Sequence, residues 1–256
     1  KVGRVVLHSG KSSIDLPAVF EESLTRLDSL DVQADWKVGP DGLAVNLGQM
    51  AFSNSDVAGS AQGNYRTAAS GPGIIDLTAN LTRADARAVW RYLPNTVGQG
   101  ARHWLRDSLL AGRATEAHLI LKGDIKDFPF LDKRLGQFLV TVKARDAVLD
   151  YGVGWPRIDG IAGDLRFEGN GMTLLAHKGG ILGAQLSDTH VEIPDFDKPV
   201  STLYVKGKAS GPTSEFFKFI EQSPVGARID HFTADMRALG EGKLDLDLVI
   251  PLDEEK

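Results

Sequence analysis

With no cysteine in the chain, side-chain chemistry would have to rest on histidine, carboxylates or an activated hydroxyl. The six histidines, His8, His103, His118, His177, His190 and His231, are scattered. No two stand at metal-ligand spacing, and His-Glu-x-x-His is absent, so each reads as a surface or interface residue. Disulfides, thiolate metal sites and a cysteine nucleophile are excluded. Asp195/Asp197 and Asp245/Asp247 are carboxylate pairs two residues apart, which on a strand share one face. That spacing suits acid–base work or calcium, but the apolar residue between each pair makes the better reading the wet side of an amphipathic strand. Gly-x-Ser-x-Gly and the P-loop pattern are missing. Gly152-Val153-Gly154-Trp155-Pro156 reads as a loop between strands, and Gly160-Ile161-Ala162-Gly163 runs into a strand. Neither opens the helix N-terminus that a phosphate cradle needs. No catalytic set, metal or cofactor is expected.

The elements behind these residues have a period of two. Leu43, Val45 and Leu47 alternate with small or polar residues, as do Ile75 and Leu77, Leu165 and Phe167, and Leu244, Leu246 and Leu248, while Phe138, Val140 and Val142 alternate with Leu139, Thr141 and Lys143. This is the pattern of strands with one apolar and one wet face. Turn signals separate them at Gly39-Pro40-Asp41-Gly42, Gly71-Pro72-Gly73, Glu168-Gly169-Asn170-Gly171 and Gly179-Gly180, which favours hairpins. The parity slips twice, from Leu47 to Met50/Phe52 and from Ala144 to Ala147/Leu149. A slip inside a strand reads as a bulge and predicts strong curvature.

Helices are few. One is expected from about Arg83, capped by Thr82 and ended by Pro94; a second from Ala101 to Leu110 with Gly112 as its cap; a third from Pro212, stopping before Pro224. The expected order is a strand block over 1–83, a helical insertion over 84–112, strands over 113–211, a helix over 212–223 and closing strands over 224–256. The aromatic residues Trp90, Tyr92, Trp104, Phe128, Phe130, Tyr151 and Trp155 read chiefly as packing, with ligand contact as the alternative.

At 256 residues, with 42% apolar and 25% charged residues, the chain is long enough to bury a core. A net charge of -5 without a basic cluster excludes a nucleic-acid footprint. No apolar run reaches the length of a membrane-spanning helix. The residues by themselves therefore point to a mainly β fold: a strongly curved antiparallel sheet with a few accessory helices.

A series of clusters is similar to the YhdP family of long, AsmA-like envelope proteins. It comprises Leu16-Pro17-Ala18-Val19-Phe20, the stretch Leu27 to Val38, Trp90-Arg91-Tyr92-Leu93-Pro94, His103-Trp104-Leu105, and Leu121 through Asp127-Phe128-Pro129-Phe130. It continues with Leu149-Asp150-Tyr151-Gly152-Val153-Gly154-Trp155-Pro156, Ser223-Pro224-Val225 and Val249-Ile250-Pro251-Leu252, so that it covers nearly the whole chain.

The resemblance implies that the long, strongly curved antiparallel sheet forms an open groove, like a folded taco shell and apolar inside; it also implies a periplasmic location, a single internal segment of a longer protein over 1–256, and an inner-membrane anchor outside it. It also implies a non-enzymatic part in moving phospholipid toward the outer membrane. Under it the groove would be lined by Leu43, Val45, Leu47, Ile75, Leu77, Leu119, Leu121, Phe138, Val140, Val142, Leu165, Phe167, Leu244, Leu246 and Leu248. The partners would be phospholipid acyl chains, adjoining segments of the same chain and, through parts outside it, the two membranes; nucleic acid is not among them. Two other readings remain: a scaffolding β-domain with a filled core, and an enzyme of the β-sandwich or jelly-roll kind with converging carboxylates.

Overall fold

The structure, a computed structural model, describes residues 1–17, 19–21 and 24–252. Ala18, and residues 253–256 of the expected closing strands, lie outside them. In chain order the elements are β1 (Val2–Ser9), β2 (Ser12–Asp15), β3 (Leu24–Leu27), β4 (Ser29–Gly39), β5 (Gly42–Ser53), β6 (Val57–Arg66) and β7 (Ile74–Asp85). There follow α1 (Gln99–Ser108), β8 (Leu109–Asp124), β9 (Gly136–Leu149), β10 (Ile158–Glu168), β11 (Gly171–Ile181), β12 (Ala184–Ile193), β13 (Ser201–Pro212), α2 (Thr213–Glu221), α3 (Pro224–Arg228) and β14 (Glu241–Leu252).

β1 and β4 through β14 form one antiparallel twelve-stranded sheet in which sequence neighbours pair; β2 and β3 make a separate hairpin. β1 and β14 remain edges, so the sheet is open. At roughly 4.8 Å per strand it extends for about 50 Å across its strands.

Paired residues in an antiparallel sheet share a face, so the register shows how the faces are built. One row crosses every strand: Ser9–Leu30–Phe52–Gly59–Leu81–Ala117–Val142–Leu165–Leu174–Val191–Val205–Leu248. Eleven of its twelve members carry no polar side chain. The next row toward the turn at residues 40–41, Leu7–Val32–Met50–Ala61–Ala79–Leu119–Val140–Phe167–Met172–Ile193, is wholly apolar.

The parity slips expected from sequence are present as bulges. The register shifts between Leu47 and Met50, and again where Ala144 and Ala147 face Gly163 and Ile161, with Asp146 at φ 54. Further shifts occur in β8, in β10 against β11, and in β12 at Asp188. From β7 to β12 they fall a few residues in from the same ends of the strands and so form a crease across the sheet. On the apolar face, Cβ atoms added at Gly63 and Gly163 would lie 2.2 and 2.4 Å from the carbonyl oxygens of Asp76 and Leu175. The strands are rolled together on that side, and the sheet curls toward its apolar face.

The two margins differ. The turns at 40–41, 67–73, 125–135, 169–170 and 194–200 lie along one. The β2–β3 hairpin, all the α-helices and the 150–157 loop lie along the other.

Several expectations move. Thr82 caps no helix, because β7 continues through Asp85, paired to Arg113 of β8. Asp85 instead caps a 3-10 turn, Ala86–Tyr92, by accepting from the Arg87 N–H. Gly112 lies inside β8 at φ 128, where a Cβ would meet Ala147 at 2.8 Å. Gly179-Gly180 is within β11, packed near Ile158 and Leu186, and the turn falls at residues 182–183. Among the described residues beyond 223 come α3 and one strand, where closing strands were expected.

Replacing Gly163 with valine should cost about 1–3 kcal/mol, because the backbone it meets cannot yield. Gly10→Ala, with nothing within 4 Å, should stay within about 0.5 kcal/mol. Urea denaturation of the two variants tests the curl of the sheet.

Candidate functional site

The feature that stands out is the apolar face itself. All fifteen sequence-predicted groove residues lie on it: Leu43, Val45 and Leu47 on β5, Ile75 and Leu77 on β7, Leu119 and Leu121 on β8, and Phe138, Val140 and Val142 on β9. Leu165 and Phe167 on β10 and Leu244, Leu246 and Leu248 on β14 complete the set. All are half-buried except Leu244 and Leu248, which are exposed. Sequence reading missed β6, whose contribution is Gly59, Ala61 and Gly63. The signal there was the alternation of small residues with Ser60, Gln62 and Asn64, too faint to read as apolar. It also left out β1, β4, β11, β12 and β13, where bulges or mixed composition blur the period.

This face is not the inside of a closed core. Among the described residues no large side chain is less than 2% exposed. The chain has 16102 Å² of accessible surface, whereas a compact monomer of 27.6 kDa would have roughly 11,000 Å². Leu30, Val57, Ala184 and Ala209, all 6% exposed or less, sit toward the helix-bearing margin, and Ile193, at 7%, lies at the opposite one. At the helix-bearing margin the Phe216 ring of α2 lies where a Gly242 Cβ would be, 2.7 Å away, and Ala86 lies over Gly112. At the opposite margin Phe130 covers Gly123 and Gly136, and the Phe128 and Phe196 rings meet Phe138 and Phe167. The chain thus rolls both margins inward over a trough that stays half-open along its length.

A belt of contacts ties the helical margin together. The guanidinium of Arg102, 4% exposed, donates to the carbonyls of Leu93 and Pro94 at 2.9 Å. Trp104 Nε1 donates to the Tyr151 carbonyl at 3.3 Å, and Tyr151, Trp155 and Phe219 follow ring to ring at 5.9 Å. The sequence-flagged aromatics Trp104, Tyr151 and Trp155 are therefore packing residues of this margin.

Charge is confined to the other face. Cross-strand pairs join Arg4 to Asp35 at 2.6 Å, Lys122 to Asp76 at 2.7 Å, Lys143 to Glu116 at 2.8 Å and Lys206 to Asp247 at 3.5 Å. The hydrogen bond from Lys143 holds the Glu116 carboxyl below the usual carboxylate range. Such exposed pairs add little stability, but they mark this face as the wet one. Asp245 and Asp247 stand on it opposite Lys208 and Lys206. Asp195 accepts from the Asp197 N–H within a turn. Among the described residues no group of three His, Asp or Glu could hold a metal, and no helix is long and apolar enough to cross a membrane.

One open antiparallel sheet with an uninterrupted apolar trough and a charged back defines a hydrophobic-groove protein. More particularly, the family model described as YhdP protein matches residues 1–256, and the chain belongs to that family. Membership suggests an AsmA-like envelope protein of lipid transport. No curated protein and no solved structure matches the chain.

Burial pushes the Tyr151 phenol up to about 12, with a smaller push from Asp150. An acid whose pKa is higher folded than unfolded, where it is about 10, favours the folded state below pH 10. That contribution is lost as the pH climbs from 10 toward 12. Phenolate absorbance should show a step near 12 in the folded chain, and Tyr151→Phe should remove it. Ionisation of this residue at about 10 would mean that the aromatic belt is not packed.

Proposed function

We propose that this chain is a periplasmic segment of a non-enzymatic bridge that passes phospholipid between the inner and outer membranes, its acyl chains covered by the apolar trough. The observation that carries the reading is the row from Ser9 to Leu248, in which eleven of twelve strands contribute an apolar or glycine position. Exposing an acyl chain of about 15 methylenes to water costs roughly 12 kcal/mol, at about 0.8 kcal/mol for each. A carrier must therefore keep the chain covered at every step. A trough of nearly uniform chemistry does so without a high point on the path, and without ATP or a reaction centre. The lipid headgroup stays in water at the slot between the margins.

Inner-membrane anchoring belongs to parts of the full-length protein outside this chain. Adjoining segments would continue the trough by pairing with β1 and β14, whose outer backbone groups have no strand partner in the sheet. Because the sheet has an even number of antiparallel strands, its two edge strands run in opposite directions, so a like unit could follow at either edge in antiparallel register. A scaffolding domain with a filled core fits less well, since the accessible surface is nearly half as large again as that of a compact monomer.

Val140→Asp and Leu246→Asp place a charge at two half-buried points of the trough. Both variants should fold with the circular dichroism of the parent and should lower co-purifying phospholipid, measured by native mass spectrometry and lipid extraction, by roughly tenfold. Parent chain that carries no lipid and takes up none when it is offered would remove the groove reading.

A further inference from the structure

At the β1–β7 end the trough deepens into a cavity of about 760 Å³ whose lining takes in Gly3, Trp36, Val45, Tyr65 and Ile75 of the apolar face. These five form one register row: Gly3 pairs with Trp36, Trp36 with Val45, Val45 with Tyr65 and Tyr65 with Ile75. The row runs on through Gly123 of β8 to Gly136 of β9. An aromatic ring lies on glycine toward each end of it. A Cβ at Gly3 would overlap the Trp36 indole, and Cβ atoms at Gly123 and Gly136 would overlap the Phe130 ring. The two rings differ in setting: Phe130 is 3% exposed within the margin, whereas Trp36 is 38% exposed beside the open edge at β1. Asp35 and Asp76 also line the cavity, but they alternate with the row, so their side chains belong to the wet face. There they are held by Arg4 at 2.6 Å and Lys122 at 2.7 Å.

The space between the rings fits one hydrocarbon chain laid across the strands. From β1 to β8 is five strand spacings, roughly 24 Å, and the hydrocarbon of one bilayer leaflet is about 15 Å thick, half of the whole core. Along the row Val45 and Ile75 present only carbon. The Tyr65 hydroxyl is engaged, donating to the Pro72 carbonyl at 2.8 Å. The other polar side-chain atom of the row is the indole N–H of Trp36. An indole suits the boundary between hydrocarbon and water, where its ring meets one and its N–H the other. A glycerolipid has that boundary at its ester, whose carbonyl oxygen can accept from the N–H. Phe130 carries no polar side-chain atom and suits the methyl end.

We propose that this part of the trough is a compartment that holds a single acyl chain of a glycerophospholipid lengthwise, its ester end at Trp36 and its methyl end toward Phe130. This rests on the lipid-carrying reading and adds to it a defined stop on the path and an orientation of the cargo there.

The test offers the purified chain phosphatidylcholine whose acyl chains are brominated either near the ester or near the methyl end, in neutral detergent micelles. Bound lipid is counted by native mass spectrometry, and tryptophan emission is read per bound lipid, since bromine quenches an indole that it touches. Trp90, Trp104 and Trp155 lie along the helical margin, away from the cavity. Bromine near the ester should therefore quench more than bromine near the methyl end, and Trp36→Phe should lose most of that quenching. If circular dichroism shows that Trp36→Phe disturbs the sheet, Trp36→Tyr carries the same comparison. Lipid that binds with its quenching unchanged in the folded variant, or that quenches most from the methyl end, would overturn the compartment and leave the trough intact. A parent chain that binds no lipid would overturn the carrier reading, and the compartment with it.

Discussion

Parity of the strand register is the constraint on which the rest of this molecule depends. Side chains alternate with a period of two, so a one-residue slip in any pairing would turn a strand's apolar set out to water. Eleven successive pairings hold the set on one side. Bulges threaten this arrangement, because each inserts a residue and inverts the alternation beyond it. They are tolerated because neighbouring strands absorb them at matching levels. The jump from Ala144 to Ala147 on β9 is met by Gly163 to Ile161 on β10, and that from Leu47 to Met50 on β5 is met across Gly63 and Ala61 of β6. The sheet therefore bends without interrupting its apolar face.

A single sheet with one apolar face normally needs a second layer to cover it. Here the cover is partial. The margins supply it through Phe216 over Gly242, Ala86 over Gly112 and Phe130 over Gly123 and Gly136. Glycines at these points let rings and chain come closer to the sheet than any side chain would permit. Between the margins the face keeps substantial exposure, which a second layer would have removed. The wet face carries cross-strand ion pairs instead of a packing layer, so the trough has one chemistry inside and another behind.

The helical margin is the more heavily built of the two. Arg102 draws the carbonyls of the preceding turn inward, and the Trp104–Tyr151–Trp155–Phe219 run links segments far apart in sequence. These contacts stiffen the side of the trough where the chain makes its longest excursions from the sheet.

Much of this was legible in the order of residues. Strand parity is local: Leu43/Val45/Leu47 or Leu244/Leu246/Leu248 announce a face within a few residues, and the break at Gly48-Gln49 announces a bulge. Hence the sheet class, the hairpin turn at Pro40-Asp41 and the fifteen apolar positions were all readable. Where packing outweighed local preference, sequence misled. Thr82 resembles a helix cap, but β8 offers β7 backbone partners as far as Asp85; Gly179-Gly180 resembles a turn, but both residues pair within β11. The faint strand β6 was missed because glycine and alanine carry no strong apolar signal until their neighbours surround them. Only the tertiary structure decided that the apolar face stays half-open and that the helices gather on one margin. Each of these depends on contacts between residues brought together by the pairing of many strands, and no local period encodes them.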